Sequence, residues 1–225
     1  MSTNTRQRIL ETARHMFNEA GTNRVGMREL ARALGMSPGN LVYHFPTKDA
    51  LVAALVAEAS NANTLALATP RDTPASLFER YDAIVAVMRN HLHYRFATVG
   101  YVDALAGSDE LRENERLLNV VRRARFDRFV QALIEAGVLS PSTEGPRRDR
   151  LRDQVTVMMR GWLIHAEIQQ ADDNVDVLID RYAKLVVAVF EPYCTPLGLA
   201  QLATILDDAP GPRHEGQAGG SNATG

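Results

Sequence analysis

The sequence predicts an all-α chain, with a small N-terminal helical domain followed by a larger one, and three observations carry that expectation. Apolar residues recur at three- and four-residue intervals along most of the chain instead of alternating, as a single buried helix face requires. Helix start and stop signals fall where those periodic stretches begin and end. The 225 residues are 45% apolar and 23% charged, enough to bury a core, yet no apolar run reaches the ~18 residues of a membrane span.

Each element has its own local reason. Over residues 5–20, Ile9, Leu10, Ala13, Met16 and Phe17 share one face, and Gly21 stops the helix. Residues 27–34 make a shorter helix, and Gly35-Met36-Ser37 a tight connection. The next short helix covers 38–44, with Ser37 as N-cap and Pro38 in its first turn. Pro46 disfavours continuation, and Thr47 caps a long helix reaching about residue 67, with Asp49 near its positive end. Turn-forming residues at 69–74 precede an amphipathic helix over 76–96, with Leu77, Tyr81, Ile84, Val85, Met88 and Leu92 on one side. A short segment at 99–105 leads to Ser108, which caps a helix over 109–136 closed by Gly137. After a loop at 140–146, two final helices at 148–170 and 175–193 are apolar enough to need burial on more than one side. Residues 209–225, rich in Pro, Gly, Ala and Ser, are expected to be a disordered tail. The expected domains are 1–50 and 51–208, followed by that tail.

Composition narrows the function. A single cysteine, Cys194, excludes a disulfide framework and reads as an inert packing residue; with a polar stretch at 1–8 and no cleavable leader, the chain is expected to be cytoplasmic. The net charge of −2 is unevenly divided. Residues 1–50 hold seven Lys or Arg against four acids, a charge of +3, so the remainder carries −5. A basic head on an acidic body points to a polyanion at one end.

The stretch "GMSPGNLVYHFPTKDAL" concentrates the chemistry. Leu30, Ala31, Leu34, Gly35, Met36 and Leu41 meet the needs of a helix-turn-helix: a small residue where helices cross, a glycine at the sharp turn, and apolar residues beneath. The second helix then has a face free for a DNA major groove. Asn40 suits a base edge, while Ser37, Pro38 and Gly39 at the helix start bring backbone toward base or phosphate. Tyr43 and His44 are placed to donate to phosphate oxygens, and Lys48 adds a charged donor at the next helix start. The structural alternatives, Tyr43 packing on the first helix and His44 serving as a cap, carry less weight than DNA contact within this motif. Arg28 has two readings, a DNA contact or an ion pair with Glu29 or its neighbours. Phe45 reads as core.

The tracts "RQRILETARHMFNEAG", "MRELARALGMSPGNLVYHF" and "TKDAL", spanning about residues 5–58, resemble the DNA-binding domain of the tetracycline-repressor (TetR) family of bacterial transcription regulators. "HLHYRFATVGYVDAL" and "DELRENERLL" resemble the regulatory half of one branch of it. The resemblance implies an all-α homodimer, three N-terminal helices that bind DNA, and a divergent domain for ligand binding and dimerisation. Two positions depart from the family pattern. Gly26 stands where Thr or Ser is usual, weakening the cap of the second helix, and Val42 stands where an aromatic residue is usual.

In the larger domain, Trp162 and His165 lie three apart on one helix face with Met158, Met159 and Ala166 nearby. They read either as the wall of a ligand pocket with one polar fixing point or as core. Tyr81, Tyr94, Phe96, Tyr101 and Phe126 are further candidates. Such a site favours a largely hydrophobic or aromatic effector with one or two hydrogen-bonding groups; a strongly anionic one would lack a partner unless Arg160 or Arg95 turns inward. Val155, Met158, Leu163, Leu178, Tyr182, Leu185 and Val189 are expected to pair two protomers as a four-helix bundle.

No cofactor is expected. His91 and His93 are two apart, about 200° around a helix, so they cannot chelate a metal from one face. No Gly-rich phosphate loop, paired Glu-x-x-His or nucleophile elbow supports an enzyme. The chain therefore reads as a sequence-specific, ligand-released repressor. The alternatives are an activator with the same parts or a helical partner-binding module.

Overall fold

A computed structural model of the chain describes residues 2–67, 74–99, 101–169 and 174–208. The expected tail at 209–225 and most of the turn at 69–74 lie outside these residues. Among those described, the chain is helical, and its only extended pairing is an isolated antiparallel bridge between Leu139 and Cys194.

Four helices build most of the N-terminal core, which Phe96, Tyr101 and Leu111 from later helices complete: α1 Ser2–Ala20, α2 Met27–Ala33, α3 Pro38–His44 and α4 Lys48–Ala66. Ile9, Leu10, Ala13 and Phe17 of α1 pack against Leu30 and Ala31 of α2, Leu41 of α3, Phe45, and Leu51, Val52, Leu55 and Val56 of α4. The α2–α3 turn depends on Gly35, whose φ of +64 is a left-handed conformation that a side chain disfavours. The caps fall where the spacing places them: Ser37 accepts from the Asn40 N–H and Thr47 from the Ala50 N–H. At Gly26, which opens α2, no side-chain cap forms.

The larger unit contains α5 Leu77–His93, α6 Phe96–Val99, α7 Tyr101–Gly107, α8 Asp109–Glu135, α9 Pro146–Ile168, α10 Val175–Ala188 and α11 Pro196–Asp207. Ser76 and Ser108 cap α5 and α8. Its core joins Tyr81, Ile84 and Met88 of α5 to Phe129, Val130 and Leu133 of α8, Trp162 and Leu163 of α9, and Ile179, Ala183 and Val187 of α10.

Three elements differ from expectation. The helix expected over 76–96 ends at His93, because side chains of α1 take over its ladder. Arg14 Nη1 and Asn18 Nδ2 donate to the His93 carbonyl at 3.2 and 2.9 Å, and Asn18 Oδ1 accepts from the Phe96 N–H at 3.0 Å. The helix expected over 175–193 closes at Ala188 and resumes as a short 3-10 turn, Glu191–Tyr193, since Pro192 has no N–H and its ring would meet the carbonyl four residues back. Helix α11 is additional. Thr195 caps it by accepting from the Gly198 N–H, and Gln201 Oε1 accepts from the Leu77 N–H at the start of α5.

Candidate functional site

Helix α3 has one buried face and one open face. Leu41 is fully buried in the N-terminal core, whereas Ser37, Pro38, Gly39, Asn40, Val42 and Tyr43 are exposed and His44 is half-buried. Tyr43 is 82% exposed, and its ring meets that of His44 edge-on at 5.3 Å between centroids. Its hydroxyl therefore does not pack on α1. Arg28 is exposed and forms no ion pair among the described residues. The Ser37 oxygen already accepts the Asn40 N–H as a cap, which leaves its own O–H to donate.

Lys48 sits differently from the free donor its position suggested. Its Nζ donates to the Thr22 carbonyl at 2.8 Å and lies 3.5 Å from that of Val25, tying the start of α4 to the loop after α1. An ammonium has three donors, so one remains for a phosphate beyond this loop.

Arg14 and Asn18 join this head to the larger unit through the α5–α6 turn. Arg95 Nη1 donates to the Asn18 carbonyl at 3.2 Å, and its Nε pairs with Glu167 of α9 at 2.6 Å. Arg95 thereby links α9 to α1.

The ligand candidates are not all brought together. Trp162 is buried in the larger core, with Met158, Met159 and Phe126 packed at its edge. Its indole N–H donates to Nδ1 of His91 at 3.1 Å, with the two ring planes 20° apart and their centroids separated by 6.5 Å. Burial first, then the Arg122 and Arg160 charges, push His91 down to about 4, so the ring is neutral and accepts that bond. His165 is exposed, and its Nδ1 meets the Tyr182 hydroxyl at 2.6 Å; the Tyr182 ring also lies 5.6 Å from that of Trp162, so α10 bridges the two residues. Tyr81 is buried with its hydroxyl donating to Asp180, which also pairs with Lys184 at 3.1 Å. Tyr94 and Phe96 belong to the N-terminal core, Tyr94 lying beside Arg14 and Glu58. Of the two arginines in question, Arg95 pairs with Glu167, while Arg160 does turn toward a buried carboxylate, Glu115, at 2.6 Å. That arginine network needed contacts 45 residues apart, beyond any local pattern. Cys194 donates to the Phe190 carbonyl, and burial with the Glu191 charge raises its thiol to about 11, a protonated, unreactive state.

Comparison with known proteins places this arrangement. Residues 9–55 match the model of the bacterial regulatory proteins of the tetR family, and residues 61–202 match that of a bacterial transcriptional repressor. The chain belongs to the TetR family. An HTH-type transcriptional repressor of Mycobacterium tuberculosis is 30% identical over 157 residues, 67% of this chain and 71% of that protein. The HTH-type transcriptional regulator UidR of Escherichia coli (strain K12) is 40% identical over 52 residues, 23% of this chain, and the match spans only 26% of UidR. Among solved structures, a TetR-family regulator from Marinobacter aquaeolei VT8 superposes with a TM-score of 0.76 at 24% identity, covering 90% of this chain and 95% of that one. The TetR family comprises transcriptional regulators rather than enzymes. No described helix is long and apolar enough to cross a membrane.

Proposed function

We propose that this TetR-family chain is a cytoplasmic, homodimeric repressor released from its operator by a small molecule. The supporting observation is the two-sided α3: Leu41 is locked in the core while Asn40 and Tyr43 stand free beside it. Each protomer lays α3 in a major groove, where Asn40 reads a base edge and Ser37, Tyr43, His44 and Arg28 hold the backbone.

The dimer face is read from α9 and α10. Leu163, Leu178 and Tyr182 are buried within the protomer, so they are unavailable to a partner. Val157, Gly161, Ile164 and Ile168 instead form one face of α9, and Leu185, 48% exposed, lies on α10. A Cβ at Gly161 would meet nothing within 4 Å, so the glycine serves no packing need inside the protomer. Glycine in a helix interior costs about 1 kcal/mol, which close approach of a second helix would offset.

An effector with a largely hydrophobic body, held near Trp162, Met158 and Phe126, shifts α9 and α6. Through Arg95 and Asn18 the shift reaches α1 and changes the spacing of the two α3 helices. DNA affinity falls by the effector's preference for that state. Selecting genomic fragments that the protein retains, then screening metabolites for release, tests this reading. Discrete fragments released by one chemical class support it, and retention of no fragment overturns it.

A further inference from the structure

The proposed effector site has a polar end. Glu115, Asn119, Arg122 and Phe126 follow at three- and four-residue spacing along α8 and share a face that is charged toward the helix start and apolar toward its end, where Phe129 continues it. Glu115 is 8% exposed, and its Oε1 accepts from Arg122 Nη1 at 2.7 Å and from Arg160 Nη2 of α9 at 2.6 Å. Asn119 Oδ1 accepts from the same two nitrogens at 3.1 and 3.0 Å. Each guanidinium thus commits one terminal nitrogen and keeps its Nε and other Nη for a further acceptor. Two cations face one carboxylate, so the cluster carries one surplus positive charge.

A second observation is independent of these ion pairs. Tyr101 of α7 is 6% exposed, and its buried hydroxyl has no hydrogen-bond partner among the described residues, a state that costs desolvation energy without return. Burial first, then Glu115, pushes this phenol up to about 12, so it stays a neutral donor; Arg122 and Arg160 act on it in the opposite direction. His91 faces the same two arginines and joins the cluster to Trp162.

We propose that this cluster recognises the carboxylate of an amphipathic organic acid, taken by the open N–H groups of Arg122 and Arg160 and by the Tyr101 hydroxyl, with the apolar body along Phe126 and Trp162. The assignment rests on the ligand-released reading above and names its effector class. Paired guanidinium donors suit a planar carboxylate. The Arg122 and Arg160 side chains are 39% and 52% exposed, so their open N–H groups can be reached, and a neutral or cationic ligand would offer them no charged acceptor.

The test follows Trp162 emission of the full-length protein, free of DNA, during titration with octanoate and phenylbutyrate and with octanamide and phenylbutyramide. At least one acid is expected to bind about tenfold more tightly than its amide. Glu115→Gln, which removes the rival charge but keeps an acceptor, is expected to tighten the acid several-fold, and Arg160→Gln to weaken it about tenfold. The acid–amide comparison in the unchanged protein needs no variant to fold. Equal binding of acids and amides, binding of neither, tighter binding of choline than of either acid, or weakened acid binding in a folded Glu115→Gln protein would each overturn the proposal. Retention of genomic fragments without any acid preference removes only this assignment. Acid preference without DNA retention removes the repressor reading instead.

Discussion

Replacing Lys48 by alanine separates two roles that its position combines. In the free protein Lys48 Nζ holds the Thr22 carbonyl at 2.8 Å, and the 3.5 Å approach to Val25 is at the limit of a hydrogen bond. One charge-assisted bond at a half-buried site is worth about 1 kcal/mol after solvent screening, at the low end for such bonds. For a chain of this size that is a fall in melting temperature of about 2–4 °C. The third ammonium donor is proposed to meet a phosphate. Losing it should lower the steepness of log K against log salt by ~0.9 per half-site and weaken all sequences alike. Thermal unfolding and fluorescence anisotropy at several salt concentrations read the two effects separately. Lys48→Met keeps the apolar stem and should show the same two losses. A variant that melts early but keeps both DNA affinity and salt dependence would refute the phosphate contact and leave Lys48 as a loop tie only.

Other perturbations test other parts of the structure. Tyr43→Phe removes a hydroxyl from a ring that is 82% exposed, so it should leave the melting temperature within about 1 °C and weaken binding to all DNA, by mobility shift. Leu185→Asp should convert a dimer into a folded monomer in light scattering, because that side chain is 48% exposed in the protomer; a persistent dimer would move the interface elsewhere. His91 is held near 4 against an ordinary 6.5, so the unfolded chain binds more protons in that interval. The resulting stability is complete above pH 6.5 and is lost as pH falls toward 4, and His91→Gln should flatten that part of the curve of melting temperature against pH.

Much of the fold was legible because its signals are local. Ser37, Thr47 and Ser108 are capping residues directly before periodic stretches, and each caps as expected, whereas Ser76, read as the first helical residue, proves to be the cap of α5. The split at Tyr94 and Arg95 was not legible, since it is imposed by Arg14 and Asn18 more than 70 residues away. Helix α11 was overlooked although Thr195-Pro196 is a cap followed by proline in the first turn, a signal that could have found it. In the DNA-facing helix, the three- and four-residue pattern separates buried Leu41 from exposed Asn40 and Tyr43. The effector candidates were harder to read. A spacing of three puts Trp162 and His165 on adjacent parts of α9, yet α10 covers one and leaves the other exposed on Tyr182. Tyr94 fell to the other core for the same reason that α5 ended early.

Binding-site selection from random DNA, run in parallel with the unchanged protein and with Asn40→Ala, tests the docking of α3 most directly. The docking predicts a two-fold site whose half-sites lie about one helical turn, or a multiple of one, apart. It further predicts that Asn40→Ala relaxes preference at one or two matching positions in each half-site, while the others and the spacing persist. Identical selected sequences for the two proteins, or loss of preference spread evenly over the site, would contradict it.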